Sequence, residues 1–330
     1  MLYPLTFEPI FKDKIWGGQK IKTILGKDFP QGPDGLLPNC GETWEISGVA
    51  GEVSEVKEGS LKGKSLQELL AQYKEQLVGE HVYKQYGDRF PLLVKFIDAN
   101  EDLSIQVHPN DKLAHERHQS FGKTEMWYII QADPGSSLIS GFNREVSREE
   151  YIDAVQNNTL TDILNREPVE AGDVFFLPAG RVHTIGKGLL LAEIQQTSDI
   201  TYRIYDFDRV DDKGQKRELH TEQAVDAIDY KHYDQYKTSY ERKRNQSVNA
   251  VTSDYFVTNV LNFDQEVMHD YTHLDSFVIL VCVGGAVTIQ AEGGYNVPLK
   301  LGECALIPAA VKQVTLVPDG DMTLLESYVP

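Results

Sequence analysis

Cysteine is nearly missing from this chain. Cys40, Cys282 and Cys304 stand among 330 residues, and none belongs to a C-x-x-C pair. That excludes a disulfide framework and a metal site built on paired thiolates, and free thiols in a reducing cytosol are expected. Long apolar runs are missing as well. The longest covers 277–283, far short of the roughly 20 residues that a membrane helix needs. The opening MLYPLTFEPIFKDKIWGG carries charges where a signal peptide requires an apolar stretch. Positive charge is scarce, with 32 Lys and Arg against 50 Asp and Glu for a formal charge of -18. A nucleic-acid backbone or an anionic membrane surface would be repelled at long range. These absences predict a cytoplasmic protein with no nucleic-acid and no membrane partner. A small anionic substrate fits only if Lys and Arg cluster locally against the global field.

What is present is an ordinary globular composition, 41% apolar and 10% aromatic, on a chain long enough for two domains or one large one. One phrase is written twice. GDVFFLPAGRVH at 172–183 returns as GECALIPAAVKQ at 302–313, with Gly172 over Gly302, Pro178 over Pro308 and His183 over Gln313. Upstream, EMWYIIQADPGSSLISG matches DSFVILVCVGGAVTIQA with Tyr128 over Val278, an offset of 150 that falls to 130 at the Gly-Pro phrase. The first copy therefore holds about 20 extra residues, in VSREEYIDAVQNNTLTDILNRE, where Ser147 and Glu150 form a capping box ahead of helical periodicity. Each copy alternates short strands with Gly-containing turns, as antiparallel sandwiches and barrels do. A second helix is predicted in SLQELLAQYKEQLVG, capped by Ser65 and Glu68, with Leu66, Leu69, Leu70, Tyr73 and Leu77 on one face. The polar run 230–246 is the candidate domain boundary, against the competing reading that its tyrosines pack.

Four residues invite a metal. In SIQVHPND, Gln106 and His108 lie two apart, so on a strand both point to one side; a polar strand face or a satisfied core histidine is the alternative. Glu125 begins the apolar run EMWYII, where a carboxylate is costly unless a cation or donor meets it, or unless the strand end is exposed. His183 follows the Gly180 turn, and the copy ending in Gln313 implies that this fold does not require the histidine.

The spacing G-x5-P-x-G-x2-H, Gly172, Pro178, Gly180 and His183, resembles the second cupin motif without its closing Asn, since Lys187 stands there. The first cupin motif is present in altered form, with Gln106 in place of the first His and Glu125 following His108 by 17 residues, leaving room for a helix near 110–118. This alteration is similar to the type I mannose-6-phosphate isomerases. KIWGG, CGETWEIS, FPLLVKFIDA, SIQVHPND, GKTEMWYII and SDITYRIYDF resemble that family's blocks in its order. The resemblance covers residues 1 to about 230 and reaches the C-terminal part only as fold; the short spacings look like the compact bacterial branch.

The resemblance implies a mainly β protein of two cupin-type jelly-roll units: 1–238 catalytic, with helical insertions at about 64–78, 110–118 and 147–166, and 239–330 degenerate and without metal. It implies one Zn2+ held by Gln106, His108, Glu125 and His183, and interconversion of mannose 6-phosphate and fructose 6-phosphate through a cis-enediolate. Lys95, Lys123, Glu193, Asp199 and Arg203 are carried over as catalytic residues. Ser104, Lys95, Lys123 and Arg203 are carried over as substrate contacts, and Glu193, Asp199 and a lysine each remain able to move the proton. A monomer or weak homo-oligomer is expected. The rivals are an iron or manganese dioxygenase, which would favour another histidine where Gln106 stands, and a noncatalytic sugar-binding cupin, which has no use for Arg203. His115 with His118 reads as a solvated helix face, and His269 with His273 as structural.

Overall fold

The computed structural model describes residues 2–29, 39–210 and 213–330. The chain is mainly β. Seven antiparallel strands form one sheet in the order Ile10–Gly18, Cys40–Ile46, Leu92–Ala99, Leu189–Gln196, Glu125–Ala132, Val174–Leu177, Lys237–Thr238. Facing it is a five-stranded sheet ordered Tyr202–Tyr205, Ile105–Val107, His183–Thr184, Ser137–Phe142, Leu164–Pro168. Strand Leu92–Ala99 shows no hydrophobic alternation because all eight of its residues are buried. Ile97 and Ala99 pack inward with Trp127, Leu138 and Ile185, whereas Val94 and Phe96 face outward into a core shared with the C-terminal strands. A strand covered on both sides loses the alternation, and its two charged residues are each met by a partner, Lys95 by Glu193 at 3.1 Å and Asp98 by the Lys20 amide at 2.6 Å.

Beyond 245 the pattern repeats. Gln246–Thr252, Val257–Phe263, Met322–Tyr328, Val278–Gly284 and Cys304–Ile307 form five strands in that order, and Val267–Asp270, Gln313–Pro318, Ala286–Ala291 and Tyr295–Lys300 form four. They enclose Leu261, Leu280, Ile289, Leu316 and Leu324. The pairing corrects the alignment of the two copies. Leu177 faces Glu125, and its counterpart Ile307 faces Val278, so Val278 matches Glu125 rather than Tyr128. Two continuous apolar runs can be slid past each other with little loss of match, so only the partner strand fixes their register.

The helices follow their caps. Ser65 accepts from the Glu68 amide and the Glu68 side chain returns the contact, but the helix ends at Tyr73 because Lys74 turns to φ 45. A further turn, Glu75–Val78, and an unforeseen helix, Glu80–Tyr86, follow. The Ser147 and Glu150 box opens Arg148–Gln156, and a short 3-10 turn ends at Ile163. Residues 164–166, expected to be helical, are strand instead, because Leu164 pairs with Phe142 at the sheet edge. The polar run after 230 is packed by its tyrosines: Tyr233 and Tyr236 flank the Arg181 guanidinium at 4.5 and 4.7 Å, and Tyr236 donates to Phe142 O at 2.8 Å. The three cysteines are unpaired and buried. Among the described residues no helix is long and apolar enough to cross a membrane.

Candidate metal centre and catalytic cleft

The cleft is built by two rows of cross-strand neighbours that face one another. On the seven-stranded sheet, Trp44 pairs with Lys95, Lys95 with Glu193, and Glu193 with Trp127. On the five-stranded sheet, Arg203 pairs with Gln106, and Gln106 with His183. Residues scattered over nearly 160 positions thus become neighbours through strand register alone. The cleft between the rows has a volume of about 300 Å³, with Lys14, Trp16, Glu42, Trp44, Ser104 and Arg217 also on its wall.

At the inner end, His108, Glu125 and His183 are all buried and bring ligand atoms within 4.8 Å of one another. His108 Nε2 lies 3.5 Å from Glu125 Oε2, and His183 Nε2 lies 3.2 Å from Glu125 Oε1. Gln106 joins them with its side-chain Nε2 3.3 Å from His183 Nε2 and its Oε1 accepting from Ser104 Oγ at 3.5 Å; turning the amide over would offer Oε1 to the same space. The tautomers follow from the other ring nitrogens. His108 Nδ1 donates to Ile200 O at 2.9 Å, and His183 Nδ1 donates to Arg181 O at 2.8 Å. Both Nε2 lone pairs therefore point into the same space, that of His108 without a hydrogen-bond partner and that of His183 toward the Gln106 amide nitrogen. His108 Nε2 and both Glu125 oxygens are buried without a well-directed hydrogen bond, although Lys123 Nζ lies 3.2 Å from Glu125 Oε2. Two neutral imidazoles and a carboxylate, beside an amide that can turn its oxygen inward, are a donor set that fits a borderline divalent cation. The spacing has a local cause. Helix Asp111–His118, capped by the Asn110 side chain, loops out between His108 and Lys123, and its return is closed at Gly122, where a Cβ would sit 2.5 Å from the Asp111 amide. The Gly180 turn, at φ +92, donates its N–H to His108 O at 2.9 Å, tying the two histidine-bearing loops together.

Electrostatics separate the two buried glutamates. Burial alone would raise the Glu193 carboxyl, but Lys95 at 3.1 Å, Lys123 and the Trp127 indole N–H at 2.8 Å hold it down to about 2. Burial, and then the charge of Glu193, push Glu125 up to about 7 against Lys123 and Lys95. Burial also lowers both histidines, His183 to about 4. The centre thus holds its histidines neutral, with a carboxylate that gains from any added cation.

Every residue carried over as catalytic, substrate-binding or metal-ligating lies in or beside this cleft. Lys95, Lys123 and Glu193 are buried on its wall, Ser104 Oγ lies 3.5 Å from Gln106 Oε1, and Arg203 is half-buried. Asp199 is exposed on the wall. His115 is exposed and His118 bonds Tyr202 OH at 2.8 Å, while His269 is paired to Glu326 at 3.0 Å. No second cluster of possible ligands occurs among the described residues. Sequence reading missed Glu42 and Trp44, although both lie in the CGETWEIS block: Trp44 Nε1 donates to Glu42 at 2.7 Å and Lys95 lies over the Trp44 ring at 5.2 Å. It also missed Arg217, which no quoted block contains and no periodicity marks.

In the C-terminal sheets Val278 stands where Glu125 does, and Gln313 is exposed. Gln313→Ala is expected to leave metal content and turnover unchanged, as measured by elemental analysis and initial rates. Loss of metal would make that half a binding site.

Known proteins agree with this geometry. The profile of the phosphomannose isomerase type I catalytic domain matches residues 5–135. The chain is 35% identical over 329 residues to a mannose-6-phosphate isomerase of Streptococcus mutans, covering 99% of each. To the mannose-6-phosphate isomerase ManA of Bacillus subtilis it is 34% identical over 316 residues, covering 95% of each. A crystal structure of the mannose 6-phosphate isomerase from Bacillus subtilis superimposes with a TM-score of 0.87 at 34% identity, covering 99% of both chains. A cleft that sets a buried His-Glu-His cluster against paired Lys and Glu, on a chain matched over its whole length, belongs to the type I mannose-6-phosphate isomerases, a family of aldose-ketose isomerases.

Proposed function

We propose that the chain interconverts mannose 6-phosphate and fructose 6-phosphate in the cytoplasm, using one Zn2+ held by Gln106, His108, Glu125 and His183. The observation that carries this reading is the fully buried Glu125 carboxylate, with Lys123 as its nearest cation, set between the Nε2 atoms of two histidines and directly beside the Lys95–Glu193 row. When bound, the cation would polarise the sugar oxygens and favour the negative charge that builds as a proton leaves C2. The chain's own residues do the rest. Arg203, one strand from Gln106, offers a permanent forked donor to that charge. Lys95, fixed by Glu193 and stacked over Trp44, and Lys123 bind hydroxyls, as does Ser104. Glu193, with little affinity for a proton, is in this reading a hydroxyl acceptor and the anchor of Lys95. The proton itself passes from C2 to C1 on one face of a cis-enediolate. The fold reading is two jelly-roll units, with residues 1–238 carrying the site and 239–330 a degenerate copy.

The test couples fructose 6-phosphate formation to metal content. Chelation is expected to abolish turnover of mannose 6-phosphate and added zinc to restore it, with about one zinc per chain. Turnover that survives complete metal removal would sink the reading.

A further inference from the structure

The positive charges of the cleft are not equally matched. Lys95 is taken by Glu193 at 3.1 Å, Lys123 by Glu125 at 3.2 Å, and Lys14 by Glu42 at 3.5 Å. At the Arg203 end the count differs. Asp206, only 5% exposed, receives Arg217 through Nε at 2.7 Å and Nη2 at 2.5 Å, and Arg209 through Nη2 at 2.6 Å. Arg209 also donates to Asp102 O, and Arg203 donates Nη1 to Glu218 O at 2.8 Å while its Nε is buried without a partner. Three guanidiniums therefore surround one carboxylate. Among the described residues, the other acids near this end are Asp208, which pairs with Lys216 at 2.6 Å, and the exposed Glu218 and Asp199, the last on the cleft wall. Burial, followed by the charge of Arg217, lowers Arg203, which marks the repulsion between them. Arg203 and Arg217 both line the cleft, on the wall that also carries Gln106.

We infer that Arg217, held in place by Asp206, grips the phosphate dianion of the substrate and so sets the enzyme's preference for phosphorylated sugars. A monoester dianion would supply the negative charge that Arg217 and Arg203 lack on the cleft side, and the pair on Asp206 presents Arg217 as a pre-oriented fork with Nη1 left over. Asp206 is a positioning residue. The inference rests on the isomerase reading above and assigns its phosphate end.

The test is steady-state kinetics with mannose 6-phosphate, and competitive inhibition by inorganic phosphate, on zinc-loaded wild type, Arg217→Ala and Arg217→Lys. In Arg217→Ala, KM and the phosphate inhibition constant are expected to rise together by about 10- to 100-fold, the scale of one charge-assisted bond, with kcat and zinc content nearly unchanged. Arg217→Lys recovers part of the loss, since it keeps the charge and loses the fork. Unchanged KM and inhibition constant in both variants would overturn the inference, as would a fall in kcat alone. A wild type that failed to turn over mannose 6-phosphate would instead overturn the isomerase reading. In that event, calorimetric binding of inorganic phosphate by wild type but not by Arg217→Ala would still establish the anion site.

Discussion

His183→Ala is expected to strip the protein of its metal and take turnover to background while the chain stays folded. His183 is one of two imidazoles whose Nδ1 is committed to a backbone carbonyl, which turns the Nε2 lone pair toward Glu125 and Gln106. Removing it leaves a three-donor set around a carboxylate that burial already disfavours, so affinity should fall by more than the roughly 10- to 100-fold typical of changing a ligand's outer partner. The cavity costs about 2–4 kcal/mol, as other large-to-small core changes do, which a chain of this size can absorb. His183→Gln is the companion variant. It fills most of the space with the side chain found at 313, so a folded, metal-poor His183→Gln separates loss of the ligand from loss of packing. Metal analysis, circular dichroism and initial rates decide the matter. Full zinc occupancy and a wild-type rate in His183→Ala would remove the residue from the ligand set.

The second large effect belongs to Arg203. It cannot coordinate a cation, because guanidinium keeps its proton, yet it lies directly across the strand pair from Gln106. Arg203→Ala should therefore keep stoichiometric zinc while kcat falls by roughly two to four orders of magnitude, the scale for losing one preorganised donor at a developing oxyanion. A lysine there should recover little, since an ammonium lacks the planar fork. Measured beside Arg217→Ala, the two arginines should split cleanly: Arg203 in kcat, Arg217 in KM. An Arg203→Ala variant raised in KM alone would move that residue to the phosphate as well.

The residues of the buried cluster were legible because their signal is local. Gln106 and His108 share a strand, and His183 ends a phrase whose second copy shows what the fold tolerates without it. The capping boxes at Ser65 and Ser147 were equally local, each needing only a residue and its third neighbour. What could not be read was pairing. Nothing in the order of residues states that Arg203 lies against Gln106 or Lys95 against Glu193, because strand register is decided by partners far away in sequence. The same ignorance misplaced Val278 by three positions and made 164–166 helical, where an edge pairing with Phe142 prevails. Arg217 was invisible for a further reason: an arginine in a polar stretch gains meaning only once Asp206 is seen to hold it.

The two halves are stitched together more tightly than a tandem repeat requires. Leu5 pairs with Leu306, and the Asp275 carboxylate caps the helix Glu80–Tyr86 through the Glu80 and His81 amides at 2.7 and 2.9 Å. Gly79 passes so close to Asp275 that a Cβ would meet its carbonyl oxygen at 2.3 Å. Leu77, Val94, Phe277 and Leu325 belong to one continuous core. Melting should accordingly be a single calorimetric transition rather than two, because neither half can open without exposing that core. A gene that lost the C-terminal half would be expected to yield an insoluble polypeptide, because the apolar face of the N-terminal sheet would lose its cover.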